Sequence, residues 1–178
     1  MIVRRKLEEL DSSCPPLHLA LGVFDGVHVG HQEVISRALA AAKQHGGLGG
    51  VLTFDPHPIR VIAPAKAPSA LLATLGHKEH IIEQLGADLF IALHFDLELA
   101  SMEPGEFLDR LFRLPVKTIA VGEDWRFGKG RHGDVEFLQS QMEARGFTLE
   151  AVRPVMVDGE RVSSTRIRQA IRDGNFQA

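Results

Sequence analysis

Cysteine is nearly absent. Cys14 is the only one in 178 residues, so no internal disulfide can form and the chain fits a reducing compartment. No apolar run approaches the length of about 18 residues that a membrane-spanning helix needs. Basic charge is not in excess either: 20 Lys and Arg stand against 23 Asp and Glu, a net charge of -3. No overall basic field therefore points to nucleic acid. The opening MIVRRKLEEL mixes charges of both signs and lacks the apolar core of a secretory signal. The cytoplasm is the expected location. There is no internal repeat, and the only low-complexity stretch is APAKAPSA, residues 63–70. What remains is an ordinary globular composition, 44% apolar and 24% charged, over a length that favours one domain, residues 1–178.

Apolar runs at 17–24 (LHLALGVF), 51–54 (VLTF), 88–93 (DLFIAL), 116–121 (VKTIAV) and 147–152 (FTLEAV) read as strands. Several are too apolar to have a wet face. Helical spacing appears between them. Val34, Ile35, Ala38, Leu39 and Ala42 mark a first helix, with HGGLGG punctuating its end. Ile81, Ile82 and Leu85 mark a second, Phe107 to Phe112 a third, Val135 to Met142 a fourth and Ile167 to Ile171 a short last one. Strands alternating with helices predict an α/β fold: a Rossmann-like parallel sheet of about five strands with helices on both faces.

In such sheets ligands sit beyond the carboxyl ends of the strands. The stretch GVFDGVHVGH, residues 22–31, falls there, after the first strand and at the start of the first helix. A helix start offers unpaired N–H groups and partial positive charge, which suits an anion. Gly26 and Gly30 lack a Cβ and would let backbone and phosphate approach closely. His28 and His31 lie one turn apart, near enough to donate to one phosphate together. A single histidine would more simply satisfy a cap or a carbonyl. The pair, the glycines and the strand-to-helix setting favour the anion. Zinc lacks further ligands at a convincing spacing, so no metal ligand is named.

Three more stretches carry chemistry. TFDPHP (53–58) leaves the second strand with prolines on both sides of His57, a stiff exit rather than a continuing helix. VGEDWRFGKGRHGD (121–134) combines two aromatics, three cations and four glycines. Aromatics suit a flat ring system, and cations with exposed backbone suit a phosphate. Simple anchoring of Trp125 and Phe127 to the core is the plainer alternative. In RVSSTRIRQAI (161–171), Ser164 is a candidate cap for a helix opening near Thr165. Arg161, Arg166 and Arg168 concentrate positive charge there. Arg166 and Arg168 are two apart, so they cannot both face one ligand on a helix.

Together these stretches resemble the FMN adenylyltransferase (FAD synthetase) module of bacterial bifunctional riboflavin kinase/FAD synthetases, within the nucleotidylyltransferase superfamily. His-x-Gly-His is that superfamily's signature, and the four ordered motifs span essentially the whole chain. The resemblance implies adenylyl transfer from ATP to FMN, giving FAD and pyrophosphate, with Mg²⁺ arriving on ATP. It implies catalytic roles for His28, His31, Ser164, Thr165 and Arg168, Arg166 falling at the variable position. It implies ATP contacts for Gly22, Phe24, Asp25, Gly26, Gly30 and Arg161. Asp55, Pro56, His57, Pro58, Asp124 and Phe127 are implied for the flavin, while Trp125 stands where phenylalanine is usual. RDGNFQA (172–178) resembles the junction into a riboflavin kinase module, which is not expected within this chain. A nucleotidylyltransferase for another acceptor, such as nicotinamide mononucleotide or phosphopantetheine, is one alternative. A non-catalytic flavin- or nucleotide-binding protein is the other.

Overall fold

The computed structural model describes residues 1–175. In chain order the elements are β1 (Ile2–Arg4), β2 (Leu17–Leu21), α1 (Val29–His45), β3 (Leu48–Asp55), α2 (Pro58–Ile62), α3 (Leu75–Gln84), β4 (Leu89–His94) and α4 (Leu97–Ser101). There follow α5 (Pro104–Leu111), β5 (Val116–Gly122), α6 (Val135–Arg145), β6 (Thr148–Val152), β7 (Met156–Val157), β8 (Glu160–Arg161) and α7 (Ser164–Arg172). Six strands form one parallel sheet in the order β1-β4-β3-β2-β5-β6, and β7-β8 is a separate antiparallel pair. The expected α/β nucleotidylyltransferase-type architecture therefore stands, with six strands in the sheet.

The sixth strand is β1, whose three residues pair with β4 from Ile2 opposite Leu89. A three-residue edge strand with an arginine at its end gives too short a pattern to stand out in sequence. The glycines of HGGLGG divide differently from the sequence expectation. Gly46 caps α1, whereas Gly49 and Gly50 lie inside β3. Close approach explains their place: a Cβ on Gly49 would meet Leu39 of α1 at 2.8 Å, and one on Gly50 would meet the Leu89 carbonyl at 2.7 Å.

Strand alternation sends consecutive residues to opposite faces. Leu19, Leu21, Leu52 and Ile91 pack with α5 and α6 through Phe107, Leu108, Leu111 and Leu138. Ala20, Val51, Phe90 and Ala120 pack on the other face with Val34, Ile35 and Ala38 of α1 and Ile82 of α3. The chain runs from β2 outward through β3 and β4, then returns to place β5 on the other side of β2. The connections thus diverge at β2 and β5, which opens a crevice beyond their carboxyl ends. GVFDGVHVGH and the 123–134 loop both emerge into that crevice.

Candidate active site

The loop between β2 and α1 is strained. Phe24 and Val27 have φ of +50° and +42°, and Gly26 lies at +85°. A β-branched residue at positive φ is a backbone outlier of the kind that collects at functional sites. Around this turn the protein ties a buried carboxylate to three partners. Asp25, whose side chain is 5% exposed, pairs with Arg168 of α7 at 2.5 Å. It also accepts from the N–H groups of Leu72 and Ala73 at 2.9 and 3.3 Å. The Ser164 hydroxyl donates to the Asp25 carbonyl at 2.9 Å. One residue thus ties the start of α7 and the 72–73 segment to the turn before α1.

His28 is the N-cap of α1, with Nδ1 accepting from the His31 N–H at 3.4 Å. That places the ring proton of neutral His28 on Nε2. The two imidazoles stack, centroids 3.6 Å apart and planes 19° from parallel, and the Phe24 ring meets His31 edge-on. Burial pushes His31 down to about 3, with His28 beside it adding to the effect. His28 is lowered too, again chiefly by burial. Both rings are neutral near pH 7. Among the described residues, two buried side-chain polar atoms have no partner: Nδ1 of His31 and Nε of Arg168. Buried polar groups are ordinarily satisfied, so these two mark a place prepared for a polar ligand.

The cap of α7 is Ser163, whose Oγ accepts from the Arg166 N–H, rather than Ser164. Ser164 is the first helical residue, its hydroxyl spent on Asp25. Thr165 follows in the first turn, exposed. Arg166 pairs with Glu160 at 2.7 Å, away from Arg168, so the two arginines do project apart. Arg161 pairs with Asp124 at 2.5 Å, which joins a residue expected at ATP to one expected at the flavin. Gly30 leaves room for the His28 ring, 3.3 Å from where its Cβ would stand. Two other glycines are closely packed: the space beside Gly26 is taken by Leu72, and Gly22 lies under the Phe24 ring. Phe24 itself is 2% exposed, its ring set edge-on against His31.

TFDPHP also differs from expectation, because it does start a helix. His57 Nδ1 accepts from the Ile59 N–H and caps α2, with Pro58 in the first turn, where a missing donor costs nothing. Asp55, His57 and Arg60 line a cavity of about 310 Å³ shared with Asp25, Thr74 and Lys78. Burial lowers His57. Phe127 lies in the core at 7% exposure, packed among Phe107, Phe137 and Trp125. It cannot present an open ring face as expected. The half-buried Trp125 stacks upon it, centroids 4.5 Å apart.

Lys78 escaped the reading of the sequence. Its signal was present: it stands four positions before Ile82 and three before Ile81, on the apolar face of α3, where a lysine is out of place. Among the described residues no group of three or more His, Cys, Asp or Glu could hold a metal ion, and no helix is long and apolar enough to cross a membrane.

Fold and crevice define the class: a Rossmann-like nucleotidylyltransferase fold with paired histidines at the start of α1 and an arginine of α7 held against the turn before it. Solved structures agree on the architecture. A Francisella tularensis pantoate-beta-alanine ligase crystallised with an ATP analogue and beta-alanine superposes over 98% of this chain and 77% of its own, with TM-score 0.64 and 15% identity. A Streptococcus pneumoniae chain described as a macrolide-efflux protein covers 98% of this chain and 58% of its own, with TM-score 0.82 and 28% identity.

The chain belongs to the FAD synthetase family, whose model matches residues 11–166. Bifunctional riboflavin kinase/FMN adenylyltransferases of Pseudomonas fluorescens and Bacillus subtilis are 38% and 34% identical to it, over 88% and 89% of this chain. A Listeria monocytogenes FAD synthetase is 33% identical over 89% of this chain and 65% of its own length. The chain spans about half the length of the bifunctional relatives.

Proposed function

We propose that residues 1–178 act as one adenylyltransferase module that transfers the adenylyl group of ATP to the phosphate of FMN, giving FAD and pyrophosphate. The observation that carries this reading is a pair of unpartnered buried atoms, Nδ1 of His31 in the first turn of α1 and Nε of Arg168, the arginine paired with Asp25 of the turn before α1. A polyanion would use that arrangement. The FMN phosphate has a second pKa near 6 and is largely dianionic at neutral pH, so it attacks the α-phosphorus without a general base. Its oxygen forms the new P–O bond as the bond to pyrophosphate breaks, and no net proton needs to move.

The protein's task is alignment and charge stabilisation. Neutral His28, its Nδ1 spent on the backbone, donates through Nε2. His31, Thr165 and Arg168 hold nucleotide phosphates, with Ser164 and Asp25 fixing where α7 begins. Mg²⁺ belongs to this reading as a companion of ATP, held by phosphate oxygens and water. A reducing cytoplasm suits the lone thiol of Cys14.

The test is direct. The chain is incubated with Mg-ATP and FMN, and the products are separated by chromatography. FAD with matching pyrophosphate supports the reading. Binding of both substrates without turnover points to a non-catalytic binding protein, and adenylylation of nicotinamide mononucleotide in place of FMN overturns the flavin assignment.

A further inference from the structure

Lys78 is 6% exposed, and a buried ammonium is costly unless its three N–H donors are used. Here one is used, donated to the Val23 carbonyl at 3.2 Å. Among the described residues no carboxylate lies within ion-pair distance of it. Two carboxylates, Asp25 and Asp55, share the cavity with it, and Asp25 is already engaged by Arg168 and two backbone N–H groups. Lys78 therefore lines the 310 Å³ cavity with donors to spare. His57 has its Nδ1 spent on capping α2, which leaves an Nε2–H, and Arg60 adds a second cation at the same cavity. These are the complements of a phosphomonoester: several donors and positive charge around one small anion.

Position favours the acceptor's phosphate over those of ATP. His28, His31 and Arg168 stand where α1 and α7 begin, whereas this cavity opens between the end of β3 and the start of α3. Lys78 spans the two. Its charge bears on His31 on one side and on His57 on the other. Burial pulls the ammonium down from its ordinary range while Asp25 and Asp55 partly restore it.

We infer that Lys78 binds the phosphate of the acceptor mononucleotide and holds it against the nucleotide site. The inference rests on the adenylyltransferase reading above and names a substrate contact within it. The test compares FMN with riboflavin, which differ by that phosphate alone, by titrating flavin fluorescence against the folded protein. Lys78→Met and Lys78→Gln should each shrink the preference for FMN over riboflavin by about tenfold to a hundredfold, the range for a hydrogen bond to a charged group. ATP affinity should stay unchanged, and Lys78→Arg should restore most of the preference.

Glutamine can still donate to the Val23 carbonyl. A folded Lys78→Gln that keeps the full FMN preference, with only a lower melting temperature, would show the lysine to be structural and overturn the inference. Should the methionine variant fail to fold, the glutamine variant decides. Failure of the underlying function looks different: the wild-type chain itself would bind no flavin and form no FAD, and this inference would fall with it.

Discussion

Two histidines stand at opposite ends of α1. His18, near the start of β2 and 1% exposed, has both ring nitrogens occupied, one 2.8 Å from the Thr118 hydroxyl and the other 3.0 Å from the Gly46 carbonyl. His31, at the start of α1, keeps Nδ1 buried with no partner. Both rings help fix α1, His18 through the glycine that caps its C-terminus and His31 through the stacked pair at its N-terminus. The first histidine has completed its hydrogen bonding within the fold. The second has been left incomplete on a strained turn, and strain with an unspent polar atom is what a ligand site looks like before the ligand arrives.

Removing each ring in turn separates the two roles. His31→Ala and His28→Ala should lower FAD formation by roughly 10²–10³, the usual loss for one preorganised donor to transition-state charge, with the fold retained by circular dichroism. His18→Ala should do the reverse. Turnover per folded molecule should stay near normal while stability drops by about 1–3 kcal/mol, because Thr118 and Gly46 lose a buried partner. Normal turnover in both site variants would make His28 and His31 structural like His18.

The arginines of α7 give the next largest contrast. Arg168 pairs with the buried Asp25, and Arg166 with the exposed Glu160. Arg168→Ala should raise the KM for ATP about tenfold to a hundredfold, as expected for a charged hydrogen-bonding group. Arg166→Ala should change it less than about threefold, since exposed ion pairs contribute little. Equal losses would mean that α7 presents a different face to the nucleotide.

How legible these features were depended on how local their causes are. The parallel sheet could be read from apolar runs because each strand states its own burial. The histidine pair could be read because its spacing, its glycines and the strand before it all lie within ten residues. Asp25 as a hub could not. Its partners Leu72, Ala73, Ser164 and Arg168 lie 47 to 143 positions away, and only the fold brings them together. The burial of Phe127 is hidden in the sequence for the same reason: an aromatic in a glycine-rich loop resembles a ligand wall, and only the fold brings Phe107 and Phe137 against it. Ser163 and Ser164 are adjacent hydroxyls, and the choice of cap turns on one residue of helix register.

A smaller effect separates the folded from the unfolded protein through pH. The unfolded chain protonates a histidine near 6.5, whereas folded His31 resists protonation down to about 3. Between those values the unfolded state binds the extra proton. Stability is therefore full above about pH 6.5 and declines as pH falls toward 3, with a slope of at most about 1.4 kcal/mol per pH unit from this ring. His28 and His57 are shifted in the same direction. Urea unfolding at pH 7, 6 and 5 should show the decline, and His31→Gln should flatten it. A pH profile unchanged by His31→Gln would mean that the ring is not held neutral by its burial.

The smallest expected effect concerns the ring pair at 125 and 127. Trp125 covers Phe127 with planes 13° apart and keeps part of its surface open, whereas Phe127 faces the core. A flavin entering from the crevice would therefore meet the tryptophan. Trp125→Ala should weaken FMN binding by about 0.5–1.5 kcal/mol beyond the area lost, roughly two- to tenfold, and leave ATP binding alone. Trp125→Phe should be close to silent. Phe127→Ala should instead cost about 3–5 kcal/mol of stability, the loss expected for a core phenylalanine, and so lower binding of both substrates through unfolding. Since Trp125 is the only tryptophan, FMN titration should quench the protein's indole emission by proximity, with riboflavin quenching to a similar extent at saturation. Full-strength FMN binding by Trp125→Ala, together with unquenched emission in the wild type, would take the flavin away from the 123–134 loop and leave the stacked pair as an anchor for that loop alone.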